Sequence, residues 1–111
     1  MCLFCKIAAG EIPSKKAFED DTVYAFYDIA PQAPVHILII PKKHIESAHA
    51  VTRDDDALLC HMFEVARCIA SENGLDQSGY RLITNIGADA GQSVPHLHLH
   101  LIGGKPLKWD N

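Results

Sequence analysis

Pro95-His96-Leu97-His98-Leu99-His100-Leu101-Ile102 alternates histidine with an aliphatic residue for three cycles. Side chains on an extended chain point to opposite faces with period two. Read as a strand, the stretch places His96, His98 and His100 on one face and Leu97, Leu99 and Leu101 on the other. Successive imidazoles are then about 6.5 Å apart, at roughly 3.3 Å per residue. A helix would scatter the same rings around its axis. The leucine face is a core face. Gly103-Gly104 ends the strand and Gly91-Gln92-Ser93 leads into it.

One histidine in such a place reads as a hydrogen-bonded structural residue. Three in register point to chemistry, because imidazole exchanges protons near neutrality, binds metals and acts as a nucleophile. His98, the middle ring, works as a neutral nucleophile only if its other nitrogen is held, and a backbone carbonyl or His36 are the candidates to hold it. His100, Ser93 and the amides near Gly91 are placed to surround a developing negative charge. Asn85 is a candidate to fix a polar group of the substrate. This set suits attack on phosphorus, where positioning and charge stabilisation dominate.

The 111 residues form a single domain, 1–111, large enough for one core without disulfides. The chain is 48% hydrophobic and 22% charged, with a net charge of −4, and it has no basic tract for nucleic acid. Lys42-Lys43 and Lys15-Lys16 read as solvated pairs. No apolar run is long enough to span a membrane. Met1-Cys2-Leu3-Phe4-Cys5-Lys6 does not read as a signal peptide. The expectation is a cytoplasmic protein whose four cysteines are thiols or metal ligands.

Around the histidine stretch the chain reads as short alternating elements. Leu3, Phe4 and Ile7 fit one face of a short helix over 2–9, closed by Gly10. Cys2-x-x-Cys5 at its start is half of a zinc site, or a pair of small buried thiols. Residues 17–19 and 23–28 read as a hairpin about Asp20-Asp21, with Tyr24, Phe26 and Asp28 on one face. Asp28 then precedes a loop stiffened by Pro31 and Pro34. There it binds hydroxyls or closes its own turn.

Residues 35–40 read as a buried central strand, in which His36 needs a polar partner that the histidine strand can supply. Thr52 is a helix N-cap followed by three aspartates. Leu58, Met62, Val65 and Ile69 form one buried stripe, and Gly74 is the stop. Cys60, His61 and Cys68 on this helix, and His49 before it, carry no ligand pattern. Residues 80–86 read as a strand paired antiparallel with the histidine strand. The fold class is α+β: about five mostly antiparallel strands, one long helix and a short N-terminal helix.

His96-Leu97-His98-Leu99-His100-Leu101-Ile102 resembles the alternating motif of the histidine triad (HIT) superfamily. Gly91-Gln92-Ser93-Val94, the 28–34 stretch and Pro41-Lys42-Lys43-His44-Ile45 are similar to its Hint branch, so the resemblance covers about residues 3–109. It implies a hydrolase of purine nucleoside 5′-phosphoramidates, of the adenosine 5′-monophosphoramidase type, with His98 forming a nucleotidyl-histidine intermediate. His100, Ser93 and the Gly91 backbone correspond to phosphate contacts, Asn85 to a further contact, and His36 to the residue orienting the nucleophile. Gln92 and Val94 fall in the same binding segment. Asp28 matches the carboxylate that holds the ribose hydroxyls, with Tyr27 beside it. Leu3, Phe4, Ile7, Phe26, Ile29 and Leu38 match the lining of a base pocket that grips adenine or guanine.

The resemblance also implies a homodimer with the sheet continued across it, and Trp109 matches a position reaching toward the partner's site; from the residues alone Trp109 is equally tail packing. Some Hint-like relatives hold a structural zinc at positions that here are Cys2, Cys5, His44 and His96, and a zinc ligand at His96 is not a catalytic base. The chemistry itself needs no cofactor. Pro95 departs from the aromatic residue common among relatives and belongs at a strand start or edge.

Three other functions share these residues. A dinucleotide polyphosphate hydrolase has the same triad. A metal-dependent hydrolase would place its ion on the His-x-His pair. A non-catalytic nucleotide-binding module would keep the Asp28 pocket without using His98 for chemistry.

Overall fold

The computed structural model describes residues 2–109; Met1, Asp110 and Asn111 lie outside the described residues. Strands β1 (Lys16–Glu19), β2 (Val23–Tyr27), β3 (Val35–Pro41), β4 (Tyr80–Ile83) and β5 (Leu99–Gly103) form one sheet in the order β1-β2-β3-β5-β4. Every neighbouring pair is antiparallel. Helices α1 (Leu3–Ala8), α2 (Asp56–Glu72) and α3 (Leu75–Ser78) complete the fold. The expected α+β class and antiparallel sheet, with one long helix and a short one at the start, are what the chain adopts.

The central strand β3 is apolar throughout except His36 because both of its faces are covered. On one face Ile37 and Ile39 join Val23, Ala25, Leu99 and Leu101 beneath Met62, Val65 and Ile69 of α2. On the other, Leu38 and Ile40 join Tyr24 and Phe26 beneath Phe4 and Ile7 of α1. A helix of six residues is not stable alone. Burial of Phe4 and Ile7, about 1.5–3 kcal/mol each, holds α1 on the sheet.

Thr52 caps as expected, in a reciprocal box with Asp55. The first turn is 3-10 and the α-helix proper begins at Asp56. Gly74, at φ +73°, takes the left-handed conformation that ends α2.

Two strands are shorter than their patterns suggest. β5 starts at Leu99, so His96 and His98 lie in the lead-in to the ladder. Pro95 has no N–H to give, the His96 N–H donates to the Val94 carbonyl, and the Leu97 N–H donates to Ile45. The alternation of faces survives, with Leu97 in the α2 core and the rings of His96 and His98 against Phe4. Because the ladder stops there, β4 ends at Ile83, opposite His100, and residues 84–86 run on unpaired in the sheet.

The lysine pairs lie at the surface as expected, with Lys15, Lys16 and Lys43 exposed and Lys42 half-buried. Lys42 and Lys16 both bond Glu19, Lys43 bonds the buried Asp55 at 2.7 Å, and Lys15 sits over the Tyr27 ring. Lys42 thereby ties the end of β3 to β1, and Lys43 ties the following loop to the turn before α2.

Candidate active site

The sheet face under α1 carries the site. A cavity of about 410 Å³ lies between α1 and the β2–β3 end of the sheet. Leu3, Phe4 and Ile7 line it from α1, and Phe26, Tyr27, Asp28, Ile29 and Leu38 from the sheet and the loop after β2. All eight are residues assigned above to the base and ribose pocket. Ile29 is fully exposed at the mouth. Four further lining residues, Ile12, Pro13, Ser14 and Lys15, escaped the sequence reading. The available signal was topological: the segment joining α1 to the edge strand must border any space beneath α1. Ser14 Oγ bonds the Tyr24 hydroxyl at 2.7 Å, which fixes that wall.

Phe4 forms the inner wall, and the His98 ring meets it edge-on at 5.0 Å. His98 is buried, and its Nδ1–H donates to the His96 carbonyl at 2.7 Å. That bond assigns the neutral tautomer and leaves the lone pair on Nε2. Of the two holders expected for this ring, the carbonyl has the role. His36 is elsewhere: its Nε2 lies 2.9 Å from Nδ1 of His100, whose ring neighbours His98 at 5.1 Å.

The Gln32 N–H donates to His36 Nδ1 at 3.1 Å. Neutral His36 therefore carries its proton on Nε2 and donates to His100 Nδ1, so His100 carries its proton on Nε2. Burial, with the neighbouring imidazoles second, pushes His100 down to about 4. Burial lowers His36 as well, against the pull of Asp28. Both rings are neutral at physiological pH.

Asp28 serves two purposes. Its Oδ1 accepts the Ala30 N–H at 2.8 Å, closing the turn, while Oδ2 lies 3.4 Å from His36 Nε2 at the cavity wall. Asp28, His36 and His100 cluster closely enough to suggest a cation site. The tautomers oppose it, since Nε2 of His36 is a donor with no lone pair to offer.

A second cluster behaves differently. Cys2 Sγ lies 3.4 Å from His96 Nδ1, and Cys5 Sγ lies 3.3 Å from His44 Nδ1 and 3.5 Å from His96 Nδ1. The two Nδ1 atoms are 3.2 Å apart. A tetrahedral zinc with Zn–S of about 2.3 Å and Zn–N of about 2.05 Å sets edges of about 3.3–3.8 Å, which these distances approach to within about 0.3 Å. The His96 Nε2–H donates to the Pro41 carbonyl at 2.8 Å, leaving Nδ1 free as a ligand. Burial also keeps the His96 ring below the usual imidazole pKa, and so neutral. Cys2, Cys5, His44 and His96 fit zinc in number, type, spacing and tautomer.

The loop before the histidines supplies the remaining expected contacts. Gln92 is a staple: its side chain accepts the Gly87 N–H and donates to the Glu46 and Val94 carbonyls. Its amide is consumed by the loop. Gly91, at φ +82°, turns the chain so that Ser93 is exposed, while Val94 packs on the α1-side core. Asn85 is half-buried in the run after β4.

The HIT domain family model matches residues 9–107. Over 105 residues the chain is 48% identical to the purine nucleoside phosphoramidase of Escherichia coli K12, covering 95% of this chain and 88% of that one. A HIT family hydrolase from Legionella pneumophila superposes with a TM-score of 0.97 at 51% identity, covering 98% and 97% of the two chains. A histidine triad protein from Clostridium difficile gives 0.93 at 50% identity, covering 96% and 93%. With the family model spanning most of its length, the chain belongs to the HIT domain family.

Proposed function

We propose that this protein hydrolyses the P–N bond of purine nucleoside 5′-phosphoramidates through a nucleotidyl intermediate on His98. The observation that carries the reading is the Nδ1–H bond of His98 to the His96 carbonyl, which leaves the lone pair on Nε2 of a ring packed against Phe4, a wall of the cavity. The name borne by the 48%-identical E. coli relative supports the same reading.

The base enters between Phe4, Ile7, Phe26 and Leu38, with Leu3 and Ile29 at the mouth, and Asp28 accepts from the ribose hydroxyls beside Tyr27. His98 Nε2 attacks phosphorus, forming an N–P bond as the P–N bond to the amine breaks. The amine leaves with the bonding pair and takes a proton from solvent. The ring then carries a positive charge, which the His96 carbonyl stabilises through Nδ1–H. His100 donates Nε2–H to a non-bridging oxygen, joined by Ser93 and the Gly91 amide, with Asn85 as a further contact. Water attacks the phosphorus and gives its proton to solvent, the N–P bonding pair returns to His98 Nε2, and the 5′-monophosphate is released. His36 acts through His100.

A zinc ion at Cys2, Cys5, His44 and His96 would supply a cross-link between α1 and the histidine segment. The homodimer belongs to this proposal, supported by an apolar hollow on the α2 side that includes Leu59, Met62, Leu97 and the exposed Phe63. So does a cytoplasmic setting, supported by free cysteines at 2, 5, 60 and 68. Among the described residues no helix is long and apolar enough to cross a membrane.

The test is to quench a reaction with an adenosine 5′-phosphoramidate in denaturant and map the adduct by mass spectrometry. A nucleotide on the peptide ion at His98 is expected. Turnover with no covalent adduct, or an adduct on another ring, would refute the mechanism.

A further inference from the structure

We propose that the Cys2/Cys5/His44/His96 centre is a positioning device for the active site, through which zinc occupancy sets both the aim of His98 and the fit of the purine pocket. The proposal rests on the functional reading above and adds a control to it.

His96 is a three-way junction. Its ring joins the metal cluster through Nδ1 and the β3 end through Nε2, bonded to Pro41. Its carbonyl holds His98 Nδ1. The peptide linking His96 to Leu97 is pinned on its other side, since the Leu97 N–H donates to Ile45 at 2.6 Å. Four ligands fixed around one ion therefore fix the carbonyl that sets the tautomer of the nucleophile.

The same cluster anchors α1. Cys2 is the N-cap of this helix, and its sulfur faces the Cys5 N–H at 3.5 Å. Phe4, between the two cysteines, touches Phe26, His96 and His98. A six-residue helix has little stability of its own, so freeing its first turn loosens the cavity wall made by Leu3, Phe4 and Ile7. One event at the cluster reaches both binding and chemistry.

His44 offers a clean handle, because it is exposed and contacts the cluster from outside α1 and outside the histidine segment. The experiment compares wild type, His44→Ala and His44→Cys, each before and after dialysis against a chelator and again after adding zinc. Bound zinc, AMP affinity by calorimetry, the NMR signal of the His98 Nδ1–H and single-turnover rate are read on each. Zinc-free His44→Ala, and chelated wild type, are expected to lose the sharp Nδ1–H signal, bind AMP at least fivefold more weakly and turn over at least tenfold more slowly. His44→Cys should recover all three with zinc.

Folded, zinc-free protein that keeps the Nδ1–H signal and AMP affinity within twofold would overturn the proposal. Should His44→Ala fail to fold, the chelated wild type decides it alone. Zinc-loaded wild type that neither binds AMP nor forms an adduct would instead sink the functional reading, and the Nδ1–H signal would still decide whether zinc positions His98.

Discussion

His36 Nε2 and His100 Nδ1 lie 2.9 Å apart, and a backbone amide decides which of them donates. Because the Gln32 N–H occupies His36 Nδ1, the proton of each neutral ring is fixed, and His100 keeps its N–H on Nε2. His36→Ala removes this control without touching the nucleophile. The expected result is a fall in kcat of roughly 10–100-fold with AMP affinity little changed. Steady-state kinetics with calorimetry checks it; a loss confined to affinity would show that His36 only shapes the pocket.

His98→Ala should lower turnover on the order of 10³-fold or more, since a nucleophile has no substitute among its neighbours. Purine mononucleotide binding should persist, because the cavity is lined by other residues. Rapid-quench rates and a binding titration separate the two. Turnover near the wild-type level would remove His98 from the mechanism.

Asp28→Asn leaves the turn to Ala30 intact through Oδ1 but removes the carboxylate charge at the cavity wall, the proposed ribose contact. Hydrogen bonds to a charged group contribute about 1.5–3 kcal/mol, so AMP affinity should drop roughly 10–100-fold. The affinity for 2′-deoxy-AMP should drop less. Equal losses for both nucleotides would mean that Asp28 works through His36 alone.

How much of the site is legible in the sequence depends on sequence distance. Period-two alternation told the two faces of 96–102 apart, because that pattern needs no partner to be recognised. The ladder's start at Leu99 was not visible, since it turns on Ile45 accepting from Leu97 across a loop. Cys2-x-x-Cys5 is legible as half a metal site. Its other half, His44 and His96, comes from segments 52 residues apart, and only the fold or the family resemblance joins them. Likewise the partner of His36 was legible as a need, but Gln92 as a loop staple was not, because its three bonds all run to backbone groups placed by tertiary structure.

Acid should weaken the fold through His100. Burial lowers this ring to about 4 in the native state, against an ordinary value of about 6.5 in the unfolded chain. Between those values the unfolded chain binds the extra proton, so stability falls as pH drops from about 6.5 toward 4. His36, lowered for the same reason, adds to the effect. Thermal melts over this range should show a steeper decline for wild type than for His100→Asn. Parallel curves would refute the assignment.

A surface contact should act in the opposite direction. His61 Nε2 on α2 lies 2.5 Å from Asp20 Oδ2 in the β1–β2 turn, with Glu64 on its other nitrogen. The Asp20 bond raises the His61 pKa above its ordinary value, with Glu64 adding to it. The native state therefore holds that proton more tightly than the unfolded chain. The resulting stabilisation is complete below about 6.5 and disappears as pH rises through the raised native value. His61→Gln should consequently melt below wild type at pH 5.5 and converge with it by pH 9, with Asp20→Asn behaving the same way. Both sites are exposed enough for solvent to screen the pair, so the gap should be small and should shrink further in high salt. A gap that instead widens with rising pH would show that His61 supports the turn as a neutral hydrogen-bond donor.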